Sequence, residues 1–485
     1  MRYFFTKHKP KDECAVFGIY NHKDAAKLTM LGLHALQHRG QDATGIVTSD
    51  YKNFFAYRGM GHVSDVFSDT RIVGKLKGEI SIGHNRYGTT GESALKNVQP
   101  LFSELNFGGI AIAHNGNLTN TQKLKSQLID SGAIFQSTSD TEVILHLLST
   151  AKGEFIDRLI YSLKSLSGAY SLLLMSRDSL IGIRDPFGIR PLVLGKLNGS
   201  YVFSSESCGL DIIGAELVRD VEPGEILIIK NNKTISIKPF NRTELRPCLF
   251  EYIYFSRPDS IIEGRNVYDV WKKIGHQLAS ENLSDKDLVD IVIPIPDSGN
   301  ASALGFSEKL KKKFEFGIIR NHYTGRTFIQ DSTSIRHLAV KLKHNPNLAS
   351  LKNKNIALID DSIVRGTTSV KIVEMLRNAG VKKIHMRIAS PPVKFPCFYG
   401  IDTPTKKELL ASRFTIREIK EYIGVDSLKF ISLNGIYKAL GYKKGRDKKN
   451  PKFTDHYFSG DYPVELVDQK SGSMPSQLSL LIEAE

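Results

Sequence analysis

The segment from Ile356 to Ser369 constrains the fold of this chain most, because an apolar run, two adjacent carboxylates and a loop of small residues follow one another there. The apolar run Ile356–Ile359 predicts a buried strand. Apolar residues after Ser369 recur at helical spacing until Gly380, which is typical of a helix that ends at a glycine. The loop therefore joins the end of a strand to the start of a helix, and ligands bind at this point in open α/β sheets.

This loop has the chemistry of a phosphate site. The N–H groups of residues 366–369 can surround a phosphate at the positive end of the helix. Asp360 and Asp361 stand just before the loop, and two carboxylates there suit Mg²⁺ or ribose hydroxyls. The residues therefore predict a site for a ribose that carries phosphates. The alternative is an acidic turn at a strand end of an ordinary α/β domain.

The same segment closely resembles the phosphoribosyl pyrophosphate (PRPP) signature of type I phosphoribosyltransferases. The resemblance assigns PRPP binding to Asp360, Asp361, Arg365, Gly366, Thr367, Thr368 and Ser369.

A cysteine near the other end of the chain is the second signal. Cys14 lies directly before a short apolar strand, and residues 1–13 are charged and nearly without periodicity. That segment lacks the apolar core of a secretory signal and is interpreted as a removable leader. If cleavage exposes Cys14, its own α-amino group, with a pKa of about 7.7–8, can act as the general base for a thiol with a pKa of about 8.5. The alternative is an inert packing cysteine.

Three segments that combine glycine with polar residues favour the catalytic interpretation. They are residues 37–41, 83–89 and 113–118, and two of them follow apolar, strand-like runs. Together with Cys14 they resemble the class II glutamine amidotransferase domain, an N-terminal-nucleophile hydrolase. Histidines occur in all three segments, but their spacing does not match a compact zinc motif, so we expect His38, His84 and His114 to support the loops.

This resemblance implies a role for each residue of a glutaminase site. Cys14 would be the nucleophile, and the Asn115 side chain with the Gly116 N–H would form the oxyanion hole. Arg86 would bind the α-carboxylate of glutamine, since arginine pairs with carboxylates through two parallel hydrogen bonds. Asp140, in the acidic segment 137–141, would bind the α-ammonium group.

A glutaminase domain followed by a PRPP site narrows the resemblance to one family, the amidophosphoribosyltransferases, which open purine synthesis. It extends from Cys14 to about Asp468, and further family segments recur in family order. The resemblance implies that Ser298 joins Asp360 and Asp361 around Mg²⁺, and that Arg326–Ile329 belong to a PRPP-binding lid. It also implies feedback inhibition by purine nucleotides and a homotetramer.

The expected fold has two parts. An α+β N-terminal-nucleophile hydrolase sandwich with αββα layers precedes an α/β type I phosphoribosyltransferase domain with a mainly parallel sheet. The expected boundaries are a leader at 1–13, a glutaminase domain at 14–240, a phosphoribosyltransferase domain at 241–410, and a C-terminal helical region and tail at 411–485. Residue patterns predict helices at Asp24–His38 and Ala301–Phe314 and a strand at Leu288–Ile293.

The four cysteines argue against a bound cluster. They show no CxxC spacing, so neither a disulfide framework nor a zinc ribbon is indicated, and a reducing cytoplasm is the expected location. Some members of the resembled family hold a [4Fe–4S] cluster through four cysteines. Cys248 and Cys397 match two of those positions, but Thr454-Asp-His-Tyr457 stands where the other two belong. Half of the thiolates are missing, so we expect Mg²⁺ and no iron–sulfur cluster.

Charge and hydropathy exclude few functions. The formal net charge of +15 is compatible with nucleic acid, yet a phosphorylated substrate also favours a positive field, and we expect no nucleic-acid partner. No apolar run approaches the roughly 20 residues that span a membrane, so no membrane role is expected.

Glutamine and PRPP are the expected substrates, but two other functions are open at this stage. Another class II amidotransferase, such as those that make glucosamine phosphate or asparagine, would share the glutaminase residues and lack the loop at 360–369. A PRPP-sensing regulator that binds DNA would leave the glutaminase half unexplained.

Overall fold

The computed structural model describes residues 14–87, 94–321, 344–401 and 405–470. The predicted leader, the lid segment Arg326–Ile329 and the tail after residue 470 lie outside these ranges. In the described part of the chain, no helix has the length and apolar character needed to cross a membrane.

The N-terminal half contains two stacked antiparallel sheets. Its strands are β1 (Ala15–Tyr20), β2 (Ala43–Ser49), β3 (Phe54–Met60), β4 (Ile80–Arg86), β5 (Leu101–Leu105), β6 (Gly108–Leu118), β7 (Gly168–Met175), β8 (Ser179–Arg184), β9 (Val193–Leu197), β10 (Ser200–Ser204), β11 (Glu216–Asp220), β12 (Ile226–Lys230) and β13 (Lys233–Ile237). One sheet has the order β11-β9-β10-β1-β4-β2-β3, and the other has the order β13-β12-β8-β7-β6-β5.

Helices cover the outer faces of both sheets. They are α1 (Ala25–Ala35), α2 (Val63–Val66), α3 (Thr70–Lys75), α4 (Thr121–Asp130), α5 (Thr141–Thr150), α6 (Phe155–Ser165) and α7 (Cys208–Asp211). Strand side chains alternate between faces, so Val16 of β1 packs between the sheets while Phe17 packs under α1. On the other side, α5 and α6 pack on β6 and β7. The layers are therefore αββα, as predicted.

The C-terminal half is built on a parallel sheet. Its strands are β14 (Ile261–Ile262), β15 (Arg265–Asn266), β16 (Ile291–Pro294), β17 (Lys313–Phe314), β18 (Ile318–Arg320), β19 (His344–Pro346), β20 (Asn355–Asp360), β21 (Lys383–Ile388) and β22 (Ser427–Phe430). The order β17-β16-β20-β21-β22 is parallel throughout. Short antiparallel pairs join β14 with β15 and β18 with β19.

Helices bury both faces of this sheet, as parallel sheets require. The helices of this half are α8 (Val267–Ser280), α9 (Asn300–Leu310), α10 (Leu348–Leu351), α11 (Thr367–Asn378), α12 (Leu410–Arg413), α13 (Ile416–Ile423), α14 (Leu433–Ala439), α15 (His456–Ser459) and α16 (Val467–Lys470). One apolar core lies under α8 and α9, and another lies under α11 and α13. The edge strand β22 lies after residue 410. The segment 411–485, which was expected to be a separate helical region and tail, therefore contributes a strand to the parallel sheet.

Three element boundaries differ from the sequence predictions. The first helix is Ala25–Ala35, and the Asp24 side chain contacts Lys27 Nζ at 2.9 Å instead of capping the helix. The predicted helix Ala301–Phe314 ends at Leu310, because Lys311 adopts a left-handed conformation and Lys313–Phe314 form β17. The predicted strand Leu288–Ile293 begins only at Ile291.

Candidate active sites

Cys14 directly precedes β1, and the start of β1 lies beside the end of β4. Ala15 pairs with Asn85, which brings Cys14 next to Arg86 at the end of β4. The Cys14 thiol points to Tyr87 O at 3.7 Å, and Arg39 Nε donates to Cys14 O at 3.3 Å. Tyr87, which follows β4, and Arg39 therefore contact the thiol and the backbone carbonyl of Cys14.

The thiol is in the wrong protonation state to attack unaided. Desolvation raises the pKa of Cys14 to about 11, although the Tyr87 contact and the Arg86 charge act in the opposite direction. The thiolate is the nucleophilic form of cysteine. A base must therefore take the proton during attack, and a free α-amino group on the same residue would meet that need.

Asn115 is next in the chain to His114, whose Nδ1 lies 3.5 Å from Asp140 Oδ1. It lies on β6 and is fully buried, and within the described residues neither its Oδ1 nor its Nδ2 has a hydrogen-bond partner. A buried amide without partners is costly, so these atoms are suited to a ligand. Gly116 follows it, and a Cβ there would lie 2.1 Å from Ala169 O, which leaves room only for glycine.

Asp140 lies at the start of α5 and is held as a carboxylate. Burial opposes its ionisation, yet the nearby His114 ring and the Leu118 N–H, which donates to Asp140 Oδ2 at 3.0 Å, outweigh burial and lower the pKa of Asp140. A buried anion near Cys14 is suited to an ammonium group.

The three motif histidines contact protein groups. His38 Nε2 lies 2.7 Å from Glu206 Oε1, and His84 Nε2 lies 3.0 Å from His114 O. Burial lowers the pKa of His84 to about 3, so its ring is neutral near pH 7. No group of three metal-ligating His, Cys, Asp or Glu side chains occurs in the part of the chain that the structure describes. These contacts fit a supporting role.

A buried ionic network behind Cys14 was missed by the sequence analysis. Arg39 donates to Glu206 at 2.7 Å and binds both carboxylate oxygens of Glu251 at 2.8 and 2.9 Å. Arg190 Nη1 lies 3.5 Å from Glu251. Glu251 belongs to the chain that enters the C-terminal half, so the network joins the two halves. In the sequence, this network is indicated only by charged residues that stand inside otherwise apolar or glycine-rich segments.

The predicted PRPP loop has the expected strand–loop–helix geometry. Asp360 ends β20, Asp361 follows, and both are buried, with the Asp361 N–H donating to Asp360 Oδ1 at 3.0 Å. Gly366 caps α11 with φ +76, a left-handed conformation that favours glycine. The first turn of α11, which contains Thr367, Thr368 and Ser369, therefore begins beside the two carboxylates.

Ser298 follows the neighbouring strand β16. The Ile295 N–H donates to Ile359 O at 2.8 Å, which places the loop after β16 beside the end of β20. Ser298, Asp360 and Asp361 are thus oxygen donors at one edge of the sheet, a donor type that suits Mg²⁺. Arg365 Nη2 contacts Glu408 Oε1 at 3.1 Å. Arg326 lies outside the described residues.

The two cysteines expected from the family's cluster pattern converge on a tyrosine. The Tyr457 hydroxyl lies 3.1 Å from Cys248 Sγ and 3.5 Å from Cys397 Sγ, and all three residues are buried. His456 packs against the Tyr457 ring, and Asp455 pairs with Arg446 at 2.6 Å.

Comparison with known proteins shows the family of this chain. A sequence model of the glutamine amidotransferase domain matches residues 84–211. The amidophosphoribosyltransferase of Rhizobium etli is 54% identical over 477 residues, covering 97% of this chain and 95% of the relative. The chain belongs to the amidophosphoribosyltransferase family. It is therefore a glutamine-dependent enzyme of the first committed step of purine biosynthesis.

Further relatives support this family membership. The amidophosphoribosyltransferase of Bacillus subtilis is 45% identical and covers 94% of this chain and 95% of the relative. A solved structure of the glutamine PRPP amidotransferase from B. subtilis, complexed with ADP and GMP, superposes with a TM-score of 0.88 at 43% identity, covering 93% of this chain and 98% of that chain. The predicted fold class is confirmed.

Proposed function

We propose that this chain makes 5-phosphoribosylamine at two linked sites, with glutamate and pyrophosphate as the other products. The observation that carries the proposal is that the charges of Arg86 and Asp140 act on the Cys14 thiol, in a chain that also holds the Asp360–Ser369 loop. Asn115 is buried next in the chain to His114, whose ring lies 3.5 Å from Asp140. The fold alone would not assign these roles.

At the first site, the Cys14 thiol attacks the carboxamide carbon of glutamine. The thiol proton passes to the α-amino group of a processed Cys14 and then to the departing nitrogen, which leaves as ammonia. Arg86 and Asp140 hold the two charged ends of the amino acid, while the Asn115 amide and the Gly116 N–H stabilise the oxyanion. Water then cleaves the γ-glutamyl thioester to glutamate and restores the thiol.

At the second site, ammonia attacks C1 of PRPP and pyrophosphate departs. The N–H groups of residues 366–369 and the positive end of α11 hold the phosphate of the ribose. Ser298, Asp360 and Asp361 would hold Mg²⁺, which when bound neutralises charge on the pyrophosphate. We assign further charge neutralisation to basic residues of the lid, with Arg326, Arg336, Lys341 and Lys343 as candidates.

Ammonia must travel between the sites without taking up a proton. We assign the wall or gate of a dry passage to Tyr87 and the segment Phe250–Phe255. Tyr87 accepts the Cys14 thiol contact through its backbone, and Phe250, Tyr252 and Phe255 are buried in the core of the C-terminal half. The aromatic segment therefore begins beside the network that contacts Cys14.

The remaining properties follow family precedent. We propose glutamine and PRPP as substrates, feedback inhibition by purine nucleotides, a homotetramer in the cytoplasm and removal of residues 1–13. Support for nucleotide binding comes from the related B. subtilis structure, which is complexed with ADP and GMP.

One assay tests the proposal against its rivals. Glutamine hydrolysis should be stimulated by PRPP and accompanied by pyrophosphate release. An amidotransferase that makes glucosamine phosphate or asparagine would hydrolyse glutamine with no pyrophosphate released from PRPP. A PRPP-sensing DNA regulator would bind PRPP and hydrolyse no glutamine. Either result would refute the proposal.

A further inference from the structure

We propose that Phe398 and Gly400, which belong to the C-terminal half, are positioning residues for the oxyanion hole of the glutaminase site. The inference rests on the proposed role of Asn115 and Gly116 as oxyanion donors. It assigns to the segment 397–401 the task of fixing the strand that carries both donors.

The contact is a direct one between two backbones. A Cβ atom built at Gly400 would lie 3.0 Å from the carbonyl carbon of Gly116, 3.1 Å from its Cα and 3.2 Å from its oxygen. The next residue of β6, Asn117, donates from Nδ2 to Phe398 O at 2.9 Å. Two consecutive residues of β6 therefore touch one short segment of the other half.

Both partners in this contact are fixed by further bonds. On the Gly400 side, Arg190 Nε donates to Tyr399 O at 2.8 Å, and the Tyr399 hydroxyl donates to Val464 O at 2.7 Å. On the other side, Gly116 is paired with Tyr170 in the ladder between β6 and β7. Neither backbone can move aside cheaply, so the position of one determines the position of the other.

The chain that leads to this segment begins next to the predicted PRPP site. The Ala389 N–H, at the end of β21, donates to Asp360 O at 2.8 Å. Residues 389–400 then lead from the carboxylate edge of the parallel sheet to Gly116. The oxyanion donors are therefore held by a stretch of chain that is anchored beside the proposed Mg²⁺ ligands.

The expected defect is specific to the transition state. Oxyanion donors act only when they are placed where charge develops, whereas glutamine is held by Arg86 and Asp140 at other positions. Displacing Gly116 should therefore lower kcat for glutamine hydrolysis and change the KM for glutamine little.

The deciding variant is Gly400→Ala. Loss of one oxyanion donor costs about 10²–10³ in kcat, so a displaced donor should cost at least about tenfold. Ammonia-dependent synthesis should stay within about twofold of the parent protein, because the PRPP residues are unchanged.

Inhibitor binding tests the same variant independently. An aldehyde analogue of glutamine, which adds the Cys14 thiol to form a tetrahedral thiohemiacetal, should lose affinity by at least about tenfold, like kcat. Inhibition by glutamate, a ground-state analogue, should be unchanged.

Gly441→Ala is the matched control. Gly400 and Gly441 both have positive φ, at +111 and +98, but a Cβ at Gly441 meets no atom within 4 Å. The control therefore carries comparable backbone strain in the same half without the contact, and it should behave like the parent protein in all four measurements.

Unchanged kcat and aldehyde affinity in Gly400→Ala would overturn the inference, as would a parallel loss of ammonia-dependent synthesis in a folded protein. If Gly400→Ala does not fold, Asn117→Ala decides by the same criteria, since Asn117 Nδ2 supplies the bond to Phe398 O. Retention of glutaminase activity by Cys14→Ala would instead refute the proposed function itself.

Discussion

At the residue scale, Cys14 differs from the other cysteines in what surrounds it. Cys208, Cys248 and Cys397 are buried, whereas Cys14 is partly exposed and lies near Arg86, Asp140 and Arg39. Charged groups around a thiol with a raised pKa are the setting of a nucleophile that works with a base. These surroundings favour the proposed role of Cys14 as a nucleophile over a packing role.

We predict that Cys14→Ala abolishes glutamine-dependent synthesis and leaves ammonia-dependent synthesis intact, because only the first site loses its nucleophile. Product is measured with glutamine and with ammonium chloride at mildly alkaline pH. Cys208→Ser is the control and should retain both activities, since Cys208 packs in the core under α1. Loss of both activities in a folded Cys14→Ala protein would contradict the division between the sites.

The paired carboxylates at the end of β20 carry a second prediction. The double variant Asp360→Asn with Asp361→Asn keeps the shape of both side chains and removes two charges. Synthesis with either nitrogen donor should fall by at least about 10²-fold, the cost of losing one well-placed electrostatic stabiliser. Basal glutamine hydrolysis should persist. A nearly normal rate of phosphoribosylamine formation would place the PRPP site elsewhere.

At the element scale, the start of α5 is organised by Glu142. Its carboxylate accepts from Gln136 N at 2.8 Å, Ser137 N at 2.7 Å and Ser137 Oγ at 2.6 Å, which fixes the loop before Asp140. Burial opposes ionisation, but contacts with His146 and these donors lower the pKa of Glu142 to about 2.

Because the pKa of Glu142 is lower in the folded chain than in the unfolded chain, its stabilisation is complete above the ordinary glutamate value of about 4.3. The stabilisation is lost as the pH falls towards 2. We predict that Glu142→Gln lowers the melting temperature by a constant amount at neutral pH, and that the difference shrinks below about pH 4. Thermal scans of both proteins from neutral pH to acid test this. A difference in melting temperature that stays the same at every pH would contradict the lowered pKa of Glu142.

The segment around Tyr457 carries a prediction about iron. A cubane cluster requires four ligands, typically thiolates, and here the Tyr457 hydroxyl lies between Cys248 and Cys397. Protein purified without oxygen should contain no stoichiometric iron and should be colourless. Metal analysis and a visible spectrum measure this directly. Iron in amounts near four per chain would show that other groups complete the ligand set.

At the scale of the whole molecule, the two halves share buried charges. Arg39 and Glu251 are each about 1% exposed and form a two-point ion pair across the boundary. Removing one partner of a buried pair leaves an uncompensated charge.

We predict that Arg39→Met lowers the free energy of unfolding by roughly 3–5 kcal/mol, because the Glu206 and Glu251 carboxylates lose their shared partner. Urea denaturation followed by circular dichroism measures the shift. Arg417→Met is the control. Its pair with Glu421, at 3.2 Å, is largely exposed, and such pairs contribute only about 0.3–0.5 kcal/mol. Equal shifts in the two variants would show that the buried network adds no more to stability than an exposed pair.

The sequence by itself determined the parts that depend on neighbouring residues. The strand at 356–359, the loop with Gly366 and the helix that ends before Gly380 are confirmed, because apolar periodicity and glycine stops act within a few residues. The resemblance of short motifs to a known family was enough to predict the αββα sandwich and the parallel sheet, and comparison confirms both. The individual site roles stay predictions.

Only the tertiary structure decided which distant residues meet. Arg39 and Glu251 are separated by 212 positions, and Asn117 and Phe398 by 281. A charged side chain is tolerated in the interior only where an oppositely charged side chain is buried next to it. The residues near it in sequence do not reveal which residue that partner is. The same holds for β22, whose place beside β21 comes from pairing across the sheet rather than from its own short run of residues. Local propensity therefore determined the helices and strands, and long-range burial determined how the two halves of the chain are joined.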